Sequence, residues 1–104
     1  MEDELQRLAA MLDRFAAFLR QHGETKWSDW VAGDADRARS GDYDGVEHFL
    51  AAFGGVGSIN DLIFPVAGGI AYKALGEARD ELAEPAYALA KDMQRRSATS
   101  GLQP

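Results

Sequence analysis

Three groups of side chains in this sequence have the types and spacing that chemistry uses. His48 follows Asp44 at a spacing of four and adjoins Glu47. On a helix that step sets imidazole and carboxylate on one face, and with Asp42 it begins a set of divalent-metal ligands. Asp44 and Glu47, three residues apart, also have the spacing of a capping box, in which side chains satisfy the free backbone groups of a helix start. That role competes with metal binding, so His48 is expected in solvent, paired to Asp44, and no metal ligand or cofactor is assigned. The second group is FGGVGSIND, Phe53 to Asp61. Gly54, Gly55, Gly57 and Ser58 can gather backbone N–H groups into a nest for phosphate or carboxylate, with Asn60 and Asp61 as polar neighbours. A P-loop lysine is missing, as is the third spaced glycine of a dinucleotide fingerprint. Turn chemistry accounts for the same residues, with small polar side chains bonding local backbone beside glycine.

The third group is Trp27 and Trp30, inside a stretch from Glu24 to Glu47 that carries seven acids against three bases. Aromatic residues anchor interfaces, and charge complementarity steers association. Trp27, Trp30, Asp34, Asp36, Asp42 and Asp44 therefore make a candidate surface for a basic protein partner. Both tryptophans also fall on an apolar stripe, where core packing is the simpler account. Catalytic equipment is sparse: Ser58 is the one serine in a distinctive setting, and neither histidine is near it in sequence. No catalytic residue is assigned and a non-enzymatic protein is expected.

The elements that must position these groups follow from composition and period. A chain of 104 residues suits one domain with one core. Apolar residues at 46% and charged residues at 27% are ordinary globular usage. A net charge of -6 disfavours contact with nucleic acid or an anionic membrane, because the long-range field repels both. The absence of cysteine excludes disulfides and thiolate chemistry. An acidic N-terminus without a basic start or an unbroken apolar run gives no sign of a signal peptide, so a cytoplasmic location is expected. Between Phe49 and Tyr72 the one charged residue is Asp61, but five glycines and Pro65 break any spanning helix.

Leu5, Leu8, Leu12, Phe15 and Leu19 recur at steps of three and four, the stripe of an amphipathic helix, and Gly23 is its stop. A second helix carries Trp27, Trp30, Val31, Ala35 and Ala38 on its apolar side, with Thr25 as N-cap and Ser40-Gly41 at its end. Asp29, Asp34, Asp36, Arg37 and Arg39 belong to its outer face. A third begins at Asp44, buries Val46, Phe49, Leu50 and Phe53, and stops at Gly54-Gly55. Ile59 to Phe64 reads as a short extended piece. Helical spacing returns through Ala71, Leu75, Ala78, Leu82, Ala86, Leu89 and Met93, and Pro85 marks either a kink or the first turn of a new helix.

The segments HGETKWSDW, GDYDGVEHFLAAFGGVGSINDLIF and AYALAKDM resemble a family of small uncharacterised bacterial proteins with a W-x-x-W segment and an F-G-G-x-G-S-x-N-D-L motif. The similarity covers roughly Leu12 to Phe64 and, loosely, the C-terminal helix. Methionine is frequent in that motif where Val56 stands here, and the segment after Phe64 departs from the pattern. The resemblance implies a bacterial domain in which Gly54, Gly55, Gly57, Ser58, Asn60 and Asp61 act as a unit, and it transfers no activity.

The expected architecture is all-α or nearly so, a bundle of four to five helices over residues 1–96 with one short extended link after the glycine loop and a flexible tail over 97–104. The expected function is a protein-interaction module, such as an immunity protein or an inhibitor of a basic effector. Two alternatives stand beside it: a small ligand or anion at the Gly54 to Asp61 loop, and self-association, with a homodimer as its simplest form.

Overall fold

Nothing in the first twenty residues interrupts a helix: the stretch is rich in Ala, Leu and Arg, all strong helix formers, and holds neither glycine nor proline. In a computed structural model, which describes residues 2–53 and 69–101 and the side chains of 3–53 and 76–97, this stretch is helix α1 (Glu2–Gln21). The expected stripe is its buried face, with Leu8, Leu12, Phe15 and Leu19 fully buried. Gly23 ends it in the left-handed region, φ 82°. The Glu24 N–H donates to the Leu19 carbonyl at 2.8 Å and the Gly23 N–H to that of Arg20 at 3.1 Å, the paired bonds of a Schellman stop.

Helix α2 (Thr25–Arg39) follows at once. Thr25 is its first residue and not its cap: Glu24 holds the cap position with no side-chain bond, and its carbonyl accepts the Ser28 N–H at 2.8 Å. The same stop recurs at the other end, where Gly41 lies at φ 86° and the Asp42 and Gly41 N–H groups reach the Arg37 and Ala38 carbonyls. Helix α3 (Asp44–Leu50) has no capping box. Tyr43 is already in helical geometry, so the chain enters α3 through i to i+3 turns and Asp42, the last residue outside, accepts the Asp44 N–H on Oδ1 at 2.9 Å. The helix also ends sooner than the glycines would require. After Leu50 the bonds tighten to the i+3 pattern through Ala52 and Phe53, a common unwinding of a last turn.

Helix α4 (Gly69–Gly101) runs through Pro85 as a single element. Proline removes one backbone donor there, and Glu81 and Pro85 are both exposed, so water can take the carbonyl left without a partner. The buried line of α4 is Ala83, Ala86, Ala90 and Met93, while Leu82 and Leu89 flank it half-buried. Of the stripe expected from spacing, Ala86 and Met93 are buried and Ala78, Leu82 and Leu89 half-buried, while Ala83 and Ala90 join the buried line.

Each helix packs on two others, in the ring α1, α2, α3, α4 and back to α1. α1 and α4 run antiparallel, since the Arg96 guanidinium near the end of α4 binds the Glu4 carboxylate near the start of α1, Nη1 to Oε1 at 2.8 Å. α4 is far longer than α1, which draws the molecule out to 56 × 24 × 19 Å. The fold is all-α, with four helices and no strand among the described residues. None of these helices is long and apolar enough to cross a membrane. The extended link expected after the glycine loop lies outside the described residues.

Candidate functional site

The polar centre of the molecule is the contact between α2 and α3, and it is built from a residue assigned above to solvent. Asp34 is fully buried. The spacing explains this: Asp34 lies seven residues after Trp27 and three after Val31, so it falls on the same buried line as Ala35 and Ala38. An acid at that position reads as polar surface by type, but as core by phase, and phase wins.

His48 supplies its partner. The imidazole Nδ1 lies 2.5 Å from Asp34 Oδ1, across the interface and not along its own helix to Asp44. The pairing expected with Asp44 is therefore replaced by one with Asp34. Trp30 completes the cluster: its ring stacks on His48 with centroids 4.1 Å apart and planes 18° off parallel. Its Nε1–H donates to the His48 backbone carbonyl at 3.2 Å. Three residues of the contact thus hold each other by a carboxyl–imidazole hydrogen bond, a ring stack and an indole-to-backbone hydrogen bond.

Gly45 makes the approach possible. A Cβ there would lie 2.9 Å from the Asp34 carbonyl oxygen and 3.0 Å from Arg37 Cβ, closer than side chains pack. Sequence reading passed over this glycine, although a glycine inside a short helix costs about 1 kcal/mol against alanine and calls for a packing reason.

Burial sets the electrostatics. Loss of water pushes the Asp34 carboxyl up to about 6, against the opposing effects of the His48 bond, the His48 charge and the Arg37 charge. Its second oxygen, Oδ2, is buried with no hydrogen-bond partner. A carboxylate on Nδ1 is the arrangement that orients a histidine base, but the buried serine of α2 is committed elsewhere: Ser28 Oγ donates to the Ala16 carbonyl at 3.0 Å. Among the described residues no three His, Asp or Glu side chains gather into a metal set.

The other members of the acidic surface separate by role. Trp27 is 9% exposed and belongs to the core, its ring 5.3 Å from that of Trp30, which is half-buried. Asp36 is exposed and bound to Arg39 at 2.7 Å, and Arg39 also binds Asp13 of α1. Asp42 and Asp44 are exposed on either side of Tyr43, joined by the backbone bond given above. The structure thus leaves Asp36, Asp42 and Asp44 at the surface and withdraws Asp34 and Trp27. Gly54, Gly55, Gly57, Ser58, Asn60 and Asp61 lie outside the described residues.

Residues 20–69 match the family model of a domain of unknown function (DUF6966). The matched segment contains α2 and α3 whole, and so every member of the Trp30, Asp34, Gly45 and His48 cluster, together with the glycine loop. It leaves out nearly all of α1 and α4. No curated protein and no solved structure matches the chain.

Proposed function

We propose that the chain is a non-enzymatic protein-interaction domain that takes a basic partner at the acidic corner between α2 and α3. The observation that carries this is a contrast among the acids of that region. Asp29 is paired with Arg20, Asp36 with Arg39 and Asp34 with His48. Asp42 and Asp44 are exposed at the turn, and among the described residues no lysine or arginine pairs with either. Unpaired charge at a surface corner steers an oppositely charged protein and sets its on-rate, and the net charge of -6 adds to the attraction at long range. An inhibitor or immunity protein acting on a basic effector is the class of protein this suits.

The test is capture from bacterial lysate by the parent and by an Asp36→Lys/Asp42→Lys/Asp44→Lys variant, with affinity for the captured protein then measured at low and high salt. A partner lost from the variant and weakened by salt supports the proposal. Equal affinity for parent and variant overturns it. Asp34 is left out because a reversed charge there would test folding, not binding.

A further inference from the structure

We propose that the Asp34 and His48 pair is a proton-operated clasp, locking α3 onto α2 while it carries its proton and loosening that contact when the proton leaves. This inference stands apart from the interaction reading above and needs no partner. Helix α3 is seven residues long, and a helix so short does not hold itself together in water. Its position depends on what it touches. Val46 and Phe49 enter the core, Gly45 packs on the α2 backbone at Asp34, and the polar cluster of Asp34, His48 and Trp30 adds the directional hold on α2.

The cluster is unevenly satisfied. Asp34 Oδ1 has His48 Nδ1 at 2.5 Å, while Oδ2 is buried without a partner. A protonated pair places no unbalanced charge between the helices. Once the proton is lost, a carboxylate charge remains in a site that gives it one hydrogen bond, and burying a charge so poorly solvated is costly. The surrounding charges do not relieve it. Arg37 of α2 favours the ionised form but only as a lesser effect than burial. On α3, Asp44 and Glu47 add negative charge, Glu47 being held by Gln94 of α4 at 2.9 Å. On α1, Arg20 and Asp13 are engaged by Asp29 and Arg39, and Lys91 of α4 lies over the Tyr87 ring.

The sign follows from the direction of the shift. The Asp34 carboxyl is raised by burial from 3.8 to about 6, so its contribution to stability is fully present below the unfolded value and is lost as pH rises through the folded one. The clasp is thus tight in mild acid and slack at neutral pH and above.

Trp30, stacked on His48, reports the state of the pair through its emission. The experiment follows tryptophan fluorescence, melting temperature and amide exchange of α3 from about pH 4.5 to about pH 8, exchange being corrected for its intrinsic pH dependence. In the parent, emission should titrate with a midpoint near 6, the melting temperature should fall across that range, and α3 amides should exchange faster on the alkaline side. Asp34→Asn keeps the shape and the acceptor but cannot ionise, so all three changes should vanish. His48→Gln should abolish the emission step, while His22→Gln, which alters the other histidine, should leave it in place. Survival of the transition in Asp34→Asn, or equal α3 protection on both sides of it, overturns the proposal.

Discussion

The contact between α1 and α2 and the contact between α2 and α3 differ in where they put their charged groups. α1 and α2 bring Leu8, Leu12, Phe15, Leu19, Val31, Ala35 and Ala38 into the core, all fully buried, with Ser28 Oγ donating to the Ala16 carbonyl inside the contact and the charged bonds at its edges. Asp13 reaches Arg39 and Arg20 reaches Asp29, each largely in solvent. α3 brings Val46 and Phe49 into the core and joins α2 by a polar cluster of buried Asp34 with half-buried His48 and Trp30. A long helix can bury enough apolar area to be placed by shape alone. A helix of seven residues cannot, and uses directional bonds whose strength depends on protonation and on a close approach at Gly45.

Removing a large core side chain should do the most damage, and should do it on both sides of the comparison. Phe15→Ala and Phe49→Ala are each expected to cost about 3–5 kcal/mol in chemical denaturation, the usual range for a fully buried phenylalanine. If Phe49→Ala costs less than half of Phe15→Ala, α3 is held by its polar cluster more than by its aromatic anchor.

Gly45→Ala comes next. The added Cβ meets backbone at 2.9 Å, which has no room to give, and overpacking of this kind costs about 1–3 kcal/mol. The sharper readout is local: the Trp30 emission should change, since α3 must move away from α2. An unchanged spectrum with unchanged stability would show that the two helices are not in close contact at that point.

Gly23→Ala and Gly41→Ala should each cost about 1 kcal/mol, because both glycines occupy left-handed backbone that alanine resists. Their near equality is the informative part, as both stops bear on α2, one at either end. The smallest effect belongs to the exposed ion pairs. Arg39→Ala, which cuts the links to Asp13 and Asp36, should leave the denaturation midpoint within error, as exposed pairs contribute little net stability. A clear loss would mean that the α1 and α2 contact also depends on its polar rim, and would narrow the contrast.

What was legible in the sequence divides along the same line. The α1 stripe and the glycine stops at Gly23 and Gly41 could be read because each is a local pattern: a period, or a residue with one conformational advantage. The Asp34 placement was also written in the period, at seven from Trp27 and three from Val31, but residue type argued the other way. Its partner was not written there at all, since fourteen residues separate Asp34 from His48 and nothing in either segment ties them. The cap at α3 failed for a different reason. Asp44 and Glu47 have the spacing of a capping box, yet Tyr43 before them is already in helical geometry and the Asp44 N–H is taken by Asp42, so the helix start lies one residue earlier than the spacing implies.

The sequence by itself determined that this chain is helical, where α1 and α2 stop, and that its core is made of aliphatic and aromatic stripes, because helix formation and termination depend on neighbours within a few residues. The tertiary structure alone decided which way α4 turns its alanines, that α3 seats on α2 at Gly45, and that a buried aspartate and a histidine share one site. Those outcomes depend on the fit between surfaces far apart in the chain, where close packing and the cost of burying a charge select one arrangement from many that the local pattern permits.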